Sequence, residues 1–277
     1  MAQTAGLPIK APLFDDGFGE GGEYLPGATA LGDILQAQGY RQAFLLGSNA
    51  EFADKEIYFS EHGDYEIIDL EAMKEEGDLP GDYDVWWGCE DEKLFACAKE
   101  TLTELAKSSE PFNFTMLTVD THFPDGYVCR LCGNEYEEQY ANVLACSSRQ
   151  VDDFVRWVMS QPFYENTAIV ISGDHLTMDP NFLSGLEEEY IRTTYNCFLN
   201  AAAVPEQETN RQFGSFDLFP TMLAALGVEI EGERLGLGTN LFSGEPTLTE
   251  RYGFEHMDEE LQKPSDFYDH FMLRLEE

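Results

Sequence analysis

The sequence predicts an α/β fold: a doubly wound, mostly parallel sheet flanked by helices on both faces. Two observations predict it. Short apolar runs at 43–46, 112–119 and 168–172 each follow a stretch with helical spacing, the order expected of βαβ units. Each run then stops abruptly at polar residues, and in such sheets ligands collect beyond the carboxyl ends of the strands. The polar tips are therefore the candidate site.

Residues 12–27 are rich in Gly, Asp and Pro and read as an irregular loop. Ala30, Leu31, Ile34 and Leu35 then keep helical spacing until Gly39. The run Ala43, Phe44, Leu45, Leu46 has the unbroken apolar character of a strand buried on both faces, and it ends in Gly47-Ser48-Asn49. A helical stretch at 93–107 precedes the second run, which ends in Asp120-Thr121-His122. Val143, Leu144, Val151, Phe154, Val155 and Val158 share one face of a further helix before the third run, which ends in Gly173-Asp174-His175. Beyond Asp179 strand character returns only at 195–203, and a helix at 217–226 is closed by Gly227. The expected organisation is one catalytic domain over 1–245 and an acidic, aromatic tail over 246–277 that packs loosely.

Composition narrows the function. The chain has 277 residues, 43% hydrophobic and 13% aromatic, enough to build a large core. Its 16 Lys and Arg against 53 Asp and Glu give a formal net charge of -37, which repels a phosphate backbone and excludes nucleic acid as a partner. The same charge opposes an anionic substrate unless a local cation or metal compensates. No window reaches the run of about 18 apolar residues that a spanning helix needs, and the first ten residues lack the pattern of a signal peptide. Six cysteines do not make a disulfide scaffold at this length. Cys129-Arg-Leu-Cys132 invites a zinc or redox reading, but no second ligand pair stands at ribbon or finger spacing, which places zinc below a disulfide or plain thiols.

Asp174 and His175 deliver a carboxylate and an imidazole together at a strand end, a pair that suits a divalent metal and equally a capping or hydrogen-bonding role. His122 stands at the neighbouring tip, placed to donate to a phosphoryl or hydroxyl oxygen, or to serve as an ordinary loop histidine. Lys55 could hold an anionic substrate, or pair with Asp54 or Glu56 at the surface. The chain contains no G-x-S-x-G elbow, P-loop, dinucleotide glycine fingerprint or H-E-x-x-H, which leaves phosphoryl or sulfuryl transfer at a metal as the natural chemistry.

Residues 166–175, Asn-Thr-Ala-Ile-Val-Ile-Ser-Gly-Asp-His, resemble the N-T-x-I-V-x-x-G-D-H signature of the sulfatase-like branch of the alkaline phosphatase superfamily. Residues 216–223 and 236–241 are similar to that family's D-x-x-P-T-x-L and G-x-x-L elements, in the same order. Residues 120–127 resemble the D-T-H-x-P-x-G-Y segment of phosphoglycerol transferases that decorate periplasmic glucans. The resemblance covers roughly 5–245. It implies an alkaline-phosphatase-like fold, a divalent metal on Asp174 and His175, and a substrate contact from His122, beside which Lys55 remains the second candidate from the residues themselves. Manganese or magnesium suits this branch, and zinc also takes Asp and His ligands.

The implied reaction moves a glycerophosphoryl group from a phosphatidylglycerol-type lipid or glucan-linked donor to a glycan hydroxyl, outside the cytoplasm, with membrane contact only through segments beyond this chain. The family's acidic ligand on its first strand and its threonine nucleophile would lie upstream of Met1, before a segment resembling residues 4–9, so little turnover is expected from this stretch alone. Related lipoteichoic acid synthases place a histidine at Leu46 and a Trp-Asn-Arg run at 53–55, departures that favour the glucan branch. Cysteines near these positions in that branch imply a Cys132–Cys146 disulfide, with Cys129 a close competitor. A sulfatase would need a Cys-x-Pro-x-Arg or Ser-x-Pro-x-Arg segment, and none occurs in this chain. A sulfatase or phosphodiesterase in the full-length protein, and a non-catalytic binding module, are the alternatives.

Overall fold

A computed structural model describes residues 1–9, 23–83, 85–187 and 189–274. The predicted loop at 12–27 thus lies mostly outside the described residues. Helix α1 (Ala2–Ala5) and helix α2 (Leu31–Ala37) precede strand β1 (Arg41–Leu46). Next come α3 (Lys55–Glu61), β2 (Glu66–Ile68), α4 (Leu70–Glu76), α5 (Asp91–Leu105) and β3 (Phe112–Leu117). The long helix α6 (Gln139–Met159) leads to β4 (Ile169–Ser172), the one-turn α7 (Pro180–Leu183), β5 (Asn196–Leu199) and α8 (Leu218–Ala225). Two short strands, β6 (Arg234–Leu235) and β7 (Gly238–Thr239), and helices α9 (Leu248–Tyr252) and α10 (Phe254–Leu261) complete the order.

The core is a parallel sheet in the order β2-β1-β3. Strand β1 pairs with β2 from Ala43↔Glu66 to Leu45↔Ile68, and with β3 from Arg41↔Phe112 to Leu46↔Leu117. Alternation along β1 sends successive side chains to opposite faces. Leu45 packs with Met73 of α4 and Leu94 and Ala98 of α5. Phe44 and Leu46 face Tyr58 and Phe59 of α3, and Phe44 stacks on Phe59 at 4.0 Å between ring centroids. Helices therefore cover both faces, as the sequence pattern predicts. A third cluster joins Leu31 and Leu35 of α2 to Phe219 and Leu223 of α8.

Two details differ from expectation. Strand β4 joins β5 in a separate antiparallel ladder, Ile169↔Leu199 to Ser172↔Asn196. Parallel pairing needs a crossover long enough to bring the chain back, usually on a helix, and between β4 and β5 the described helical structure is one turn of α7. The tail is also not loose. Tyr268 is 6% exposed in the cluster around Phe44 and donates to the Pro8 carbonyl at 2.8 Å, while Gly27 N–H donates to the Met272 carbonyl at 3.1 Å. Tyr268 and Met257 are the tail's buried large side chains, and Glu250 pairs with Arg211 at 2.8 Å. Among the described residues no helix is long and apolar enough to cross a membrane.

Phe44 is 2% exposed at the centre of the sheet. Phe44→Ala is expected to cost about 3–5 kcal/mol in urea-induced unfolding, the range for removing a buried aromatic ring.

Candidate functional site

The candidate site is assembled from the tips that follow β1, β3 and β4. Gly47 must stay small: a Cβ there would lie 2.8 Å from the Cys89 carbonyl, and one on Gly88 would lie 1.9 Å from the Gly47 carbonyl. This close approach seats residues 85–89 against the end of β1, reinforced by the Cys89 N–H donating to the Gly47 carbonyl at 2.8 Å. After β1 the backbone is left-handed at two successive non-glycine residues, Ala53 at φ +57° and Asp54 at φ +52°. Such conformations are costly and collect at functional sites. They lead directly into Lys55.

Lys55 is half-buried, donates to the Phe52 carbonyl, and lies 4.7 Å from the centroid of the Phe52 ring. Burial lowers its ammonium to about 8, against the opposing pull of Asp54. Thr4 Oγ1 lies 2.7 Å from the Tyr58 hydroxyl on α3, the helix that Lys55 opens. Gln3 extends this contact by donating to the Gly173 carbonyl at 2.9 Å and accepting from the Ser172 hydroxyl at 3.1 Å. The amino-terminal segment thus links the Lys55 side to the β4 tip.

Asp174 and His175 are exposed, with side-chain exposures of 63% and 53%, and His175 Nε2 lies 3.5 Å from Asp174 Oδ2. His175 Nδ1 is 2.8 Å from the Leu176 carbonyl. A carbonyl can only accept, so Nδ1 carries the proton, and in the neutral ring Nε2, on the Asp174 side, is the acceptor. The two donors fit a divalent ion in chemistry and orientation. No third His, Cys, Asp or Glu donor closes on them among the described residues, where the one such cluster is Cys129, Cys132 and Cys146. His122 repeats the device, with Nδ1 2.6 Å from the Phe123 carbonyl. Its neutral ring therefore presents Nε2 as an acceptor, and the expected donation to an oxygen requires the imidazolium.

Two residues that no motif singled out join the histidine-bearing loops. The Tyr140 hydroxyl, from α6, donates to the Thr121 carbonyl at 2.7 Å and lies 3.0 Å from the Thr177 hydroxyl. Asp179 is fully buried, accepts the Asp125 N–H at 2.8 Å, and caps α7 through the Asn181 and Phe182 N–H groups. These backbone donors, Asp125 first, hold its carboxyl below the usual range. The signal for Asp179 was an N-cap acid before proline. Nothing local marked Tyr140.

Below the His122 loop, Asp91 and Asp120 form a buried pair. Asp120 accepts the Asp91 N–H at 3.0 Å, and Asp91 accepts the Val119 and Asp120 N–H groups at 2.7 and 3.2 Å. The second oxygen of each carboxyl is buried without a hydrogen-bond partner. Burial, then the neighbouring Asp91, pushes Asp120 from its ordinary 3.8 to about 7. Further along the same segment, Cys129 Sγ lies 3.7 Å from both Cys132 Sγ and Cys146 Sγ, and all three stand as thiols. Cys146, from α6, supplies the third sulfur that sequence spacing did not reveal. Its geometry does not single out Cys132–Cys146, because Cys129 is equally close to both.

With this geometry in place, the comparisons with known proteins become specific. Residues 22–228 match the sulfatase family. The chain belongs to that family. It is 32% identical over 252 residues to phosphoglycerol transferase I of Xanthomonas campestris pv. campestris strain B100, covering 88% of this chain and 35% of the relative. The Escherichia fergusonii phosphoglycerol transferase I is 30% identical, over 88% of this chain and 32% of its own length. The chain thus spans about a third of these curated relatives. Among solved structures, the lipoteichoic acid synthase LtaP from Listeria monocytogenes superposes with a TM-score of 0.66 at 16% identity, over 87% of this chain and 62% of that one. A Vibrio parahaemolyticus protein of the alkaline phosphatase superfamily gives 0.64 at 19% identity, over 90% and 58%. These two likenesses establish the α/β fold of that superfamily.

The Asp120 carboxyl binds its proton more tightly in the folded chain than in the unfolded one, so its contribution to stability is full below about 4 and is lost as pH rises to about 7. Asp217, raised to about 6 mainly by burial, acts in the same direction. The melting temperature is expected to fall from pH 5 to pH 8, and Asp120→Asn, followed by circular dichroism across that range, to flatten the fall.

Proposed function

We propose that this sulfatase-family domain serves phosphoglycerol transfer, moving a glycerophosphoryl group from a phosphatidylglycerol-type or glucan-linked donor to a glycan hydroxyl on the outer side of the cytoplasmic membrane. The observation that carries the reading is the pairing of the Asp174–His175 donors with His122 on adjacent tips held together by Tyr140. Similarity to proteins named phosphoglycerol transferase I supports the choice of reaction.

Asp174 and His175 Nε2 would hold a divalent metal, manganese or magnesium in preference to zinc, which when bound supplies Lewis acidity at the phosphoryl oxygens. Neutral His122, with Nε2 as acceptor, takes the proton of an attacking hydroxyl; as an imidazolium it returns a proton to the departing oxygen or donates to a phosphoryl oxygen. Lys55 places positive charge beside Phe52 and offsets part of the surrounding acidity. Because burial lowers its ammonium to about 8, that help fades as pH rises past this value. The threonine nucleophile and a further acidic ligand, in this reading, come from outside the 277 residues.

Glycerophosphate release from a phosphatidylglycerol analogue with added manganese tests the reading, with the full-length gene product assayed beside this chain. Full-length protein is expected to be active and this chain alone to be nearly silent. Asp174→Ala or His175→Ala should lower the full-length rate by about 10²-fold or more, the scale of losing a stabiliser of transition-state charge. A folded, manganese-loaded full-length protein without activity would sink the proposal.

A further inference from the structure

Beside His122 the protein displays an aromatic ledge that the chemistry above does not use. Trp86 and Trp87 are 40% and 43% exposed, and Phe52 is 48% exposed. The rings lie in one connected group. Trp87 is 4.4 Å from the His122 ring and 6.1 Å from Phe52, and Trp86 stacks on Tyr127 at 6.1 Å with planes 21° apart. Trp86 adopts φ +53°, a left-handed conformation unfavourable for a bulky residue. A Val85↔Gly88 bridge and the close packing of Gly88 on Gly47 hold the turn in place. A strained backbone that presents two tryptophans to water gains nothing for the core. Contiguous exposed apolar surface of this kind marks a binding site.

We propose that this ledge is an acceptor subsite, binding the pyranose ring of a neutral oligosaccharide. The C–H face of a pyranose is apolar while its hydroxyl rim stays hydrated, which matches flat indole and phenol rings open to solvent on one side. Charge decides against the other occupants. At a net charge of -37 the protein repels an anionic membrane surface, against which the ledge sets the one ammonium of Lys55 beside Phe52, whereas a neutral sugar meets no such barrier. His122 Nε2, left free by the Nδ1 contact to the Phe123 carbonyl, can accept a hydrogen bond from a hydroxyl of a ring seated on Trp87. The proposal rests on the transferase reading and names its acceptor as a glycan held by stacking.

Two of the three tryptophans lie on the ledge, and the third, Trp157, packs between Phe154 and Phe163. Intrinsic fluorescence therefore reports occupancy. This chain would be titrated with neutral tetrasaccharides (cellotetraose, laminaritetraose, maltotetraose) and, separately, with phosphatidylcholine vesicles. A saturable change with at least one tetrasaccharide is expected, weakened at least tenfold by Trp87→Ala and by Trp86→Gly, which tolerates the left-handed backbone, and unchanged by Phe271→Ala at a distant exposed ring. No saturable response to any tetrasaccharide, a response to vesicles alone, or binding indifferent to both tryptophan substitutions would each overturn the subsite. The glycerophosphate assay separates the two claims. Donor cleavage by the full-length protein without oligosaccharide binding leaves the transferase standing and removes the ledge; binding without cleavage does the reverse.

Discussion

Strand β1 carries parallel neighbours on both edges, and a parallel strand can be stable only where both its faces are covered. That requirement places Leu45 against α4 and α5, and Phe44 and Leu46 against α3 and the carboxy-terminal segment. With both faces occupied by helices, the ends of the strands are what remains open. Gly47, His122, Asp174 and His175 stand just beyond strand ends for this reason. Covering the sheet and exposing the chemistry are one consequence of the same pairing.

Much of this was legible in the residues. The apolar runs at 43–46, 112–119 and 168–172 became β1, β3 and β4, because unbroken hydrophobic stretches closed by polar residues have few other uses in an α/β protein. The position of Asp174 and His175 beyond a strand end was legible because the apolar run stops just before them. Partner choice was not. Nothing within Ile169–Ser172 states that the strand pairs antiparallel with Asn196–Leu199, since that depends on how the intervening chain returns. Asp91, Tyr140 and Asp179 escaped for a related reason: their importance lies in hydrogen bonds to residues 15 or more positions away. The tail misled because acids dominate its composition, while its attachment rests on a few residues spread along it: Thr247, Glu250, Met257 and Tyr268. The ledge went unread because consecutive tryptophans before a glycine look like core residues until their exposure is known.

Acidity shapes the site by exclusion. Of the few basic groups, Arg211 is committed to Glu250 and to backbone carbonyls, and Arg130 and Arg156 pair with Glu92 and Asp152. Lys55 is the cation placed beside the aromatic ledge, and burial already weakens its hold on a proton. In the proposed reaction, recognition near His122 would draw on ring faces and hydroxyl-compatible nitrogen, and compensation for phosphate charge would fall to a metal on Asp174 and His175.

Tyr140 gives this arrangement a fixed dimension. Its hydroxyl stands between the Thr121 carbonyl and the Thr177 hydroxyl, and its ring packs edge-on against Phe182 at 5.0 Å. The ring is rooted in the 21-residue helix α6, so the two loops inherit the stiffness of a long helix instead of drifting on separate strands. A change at residue 140 would therefore move both loops at once, because one side chain sets their separation.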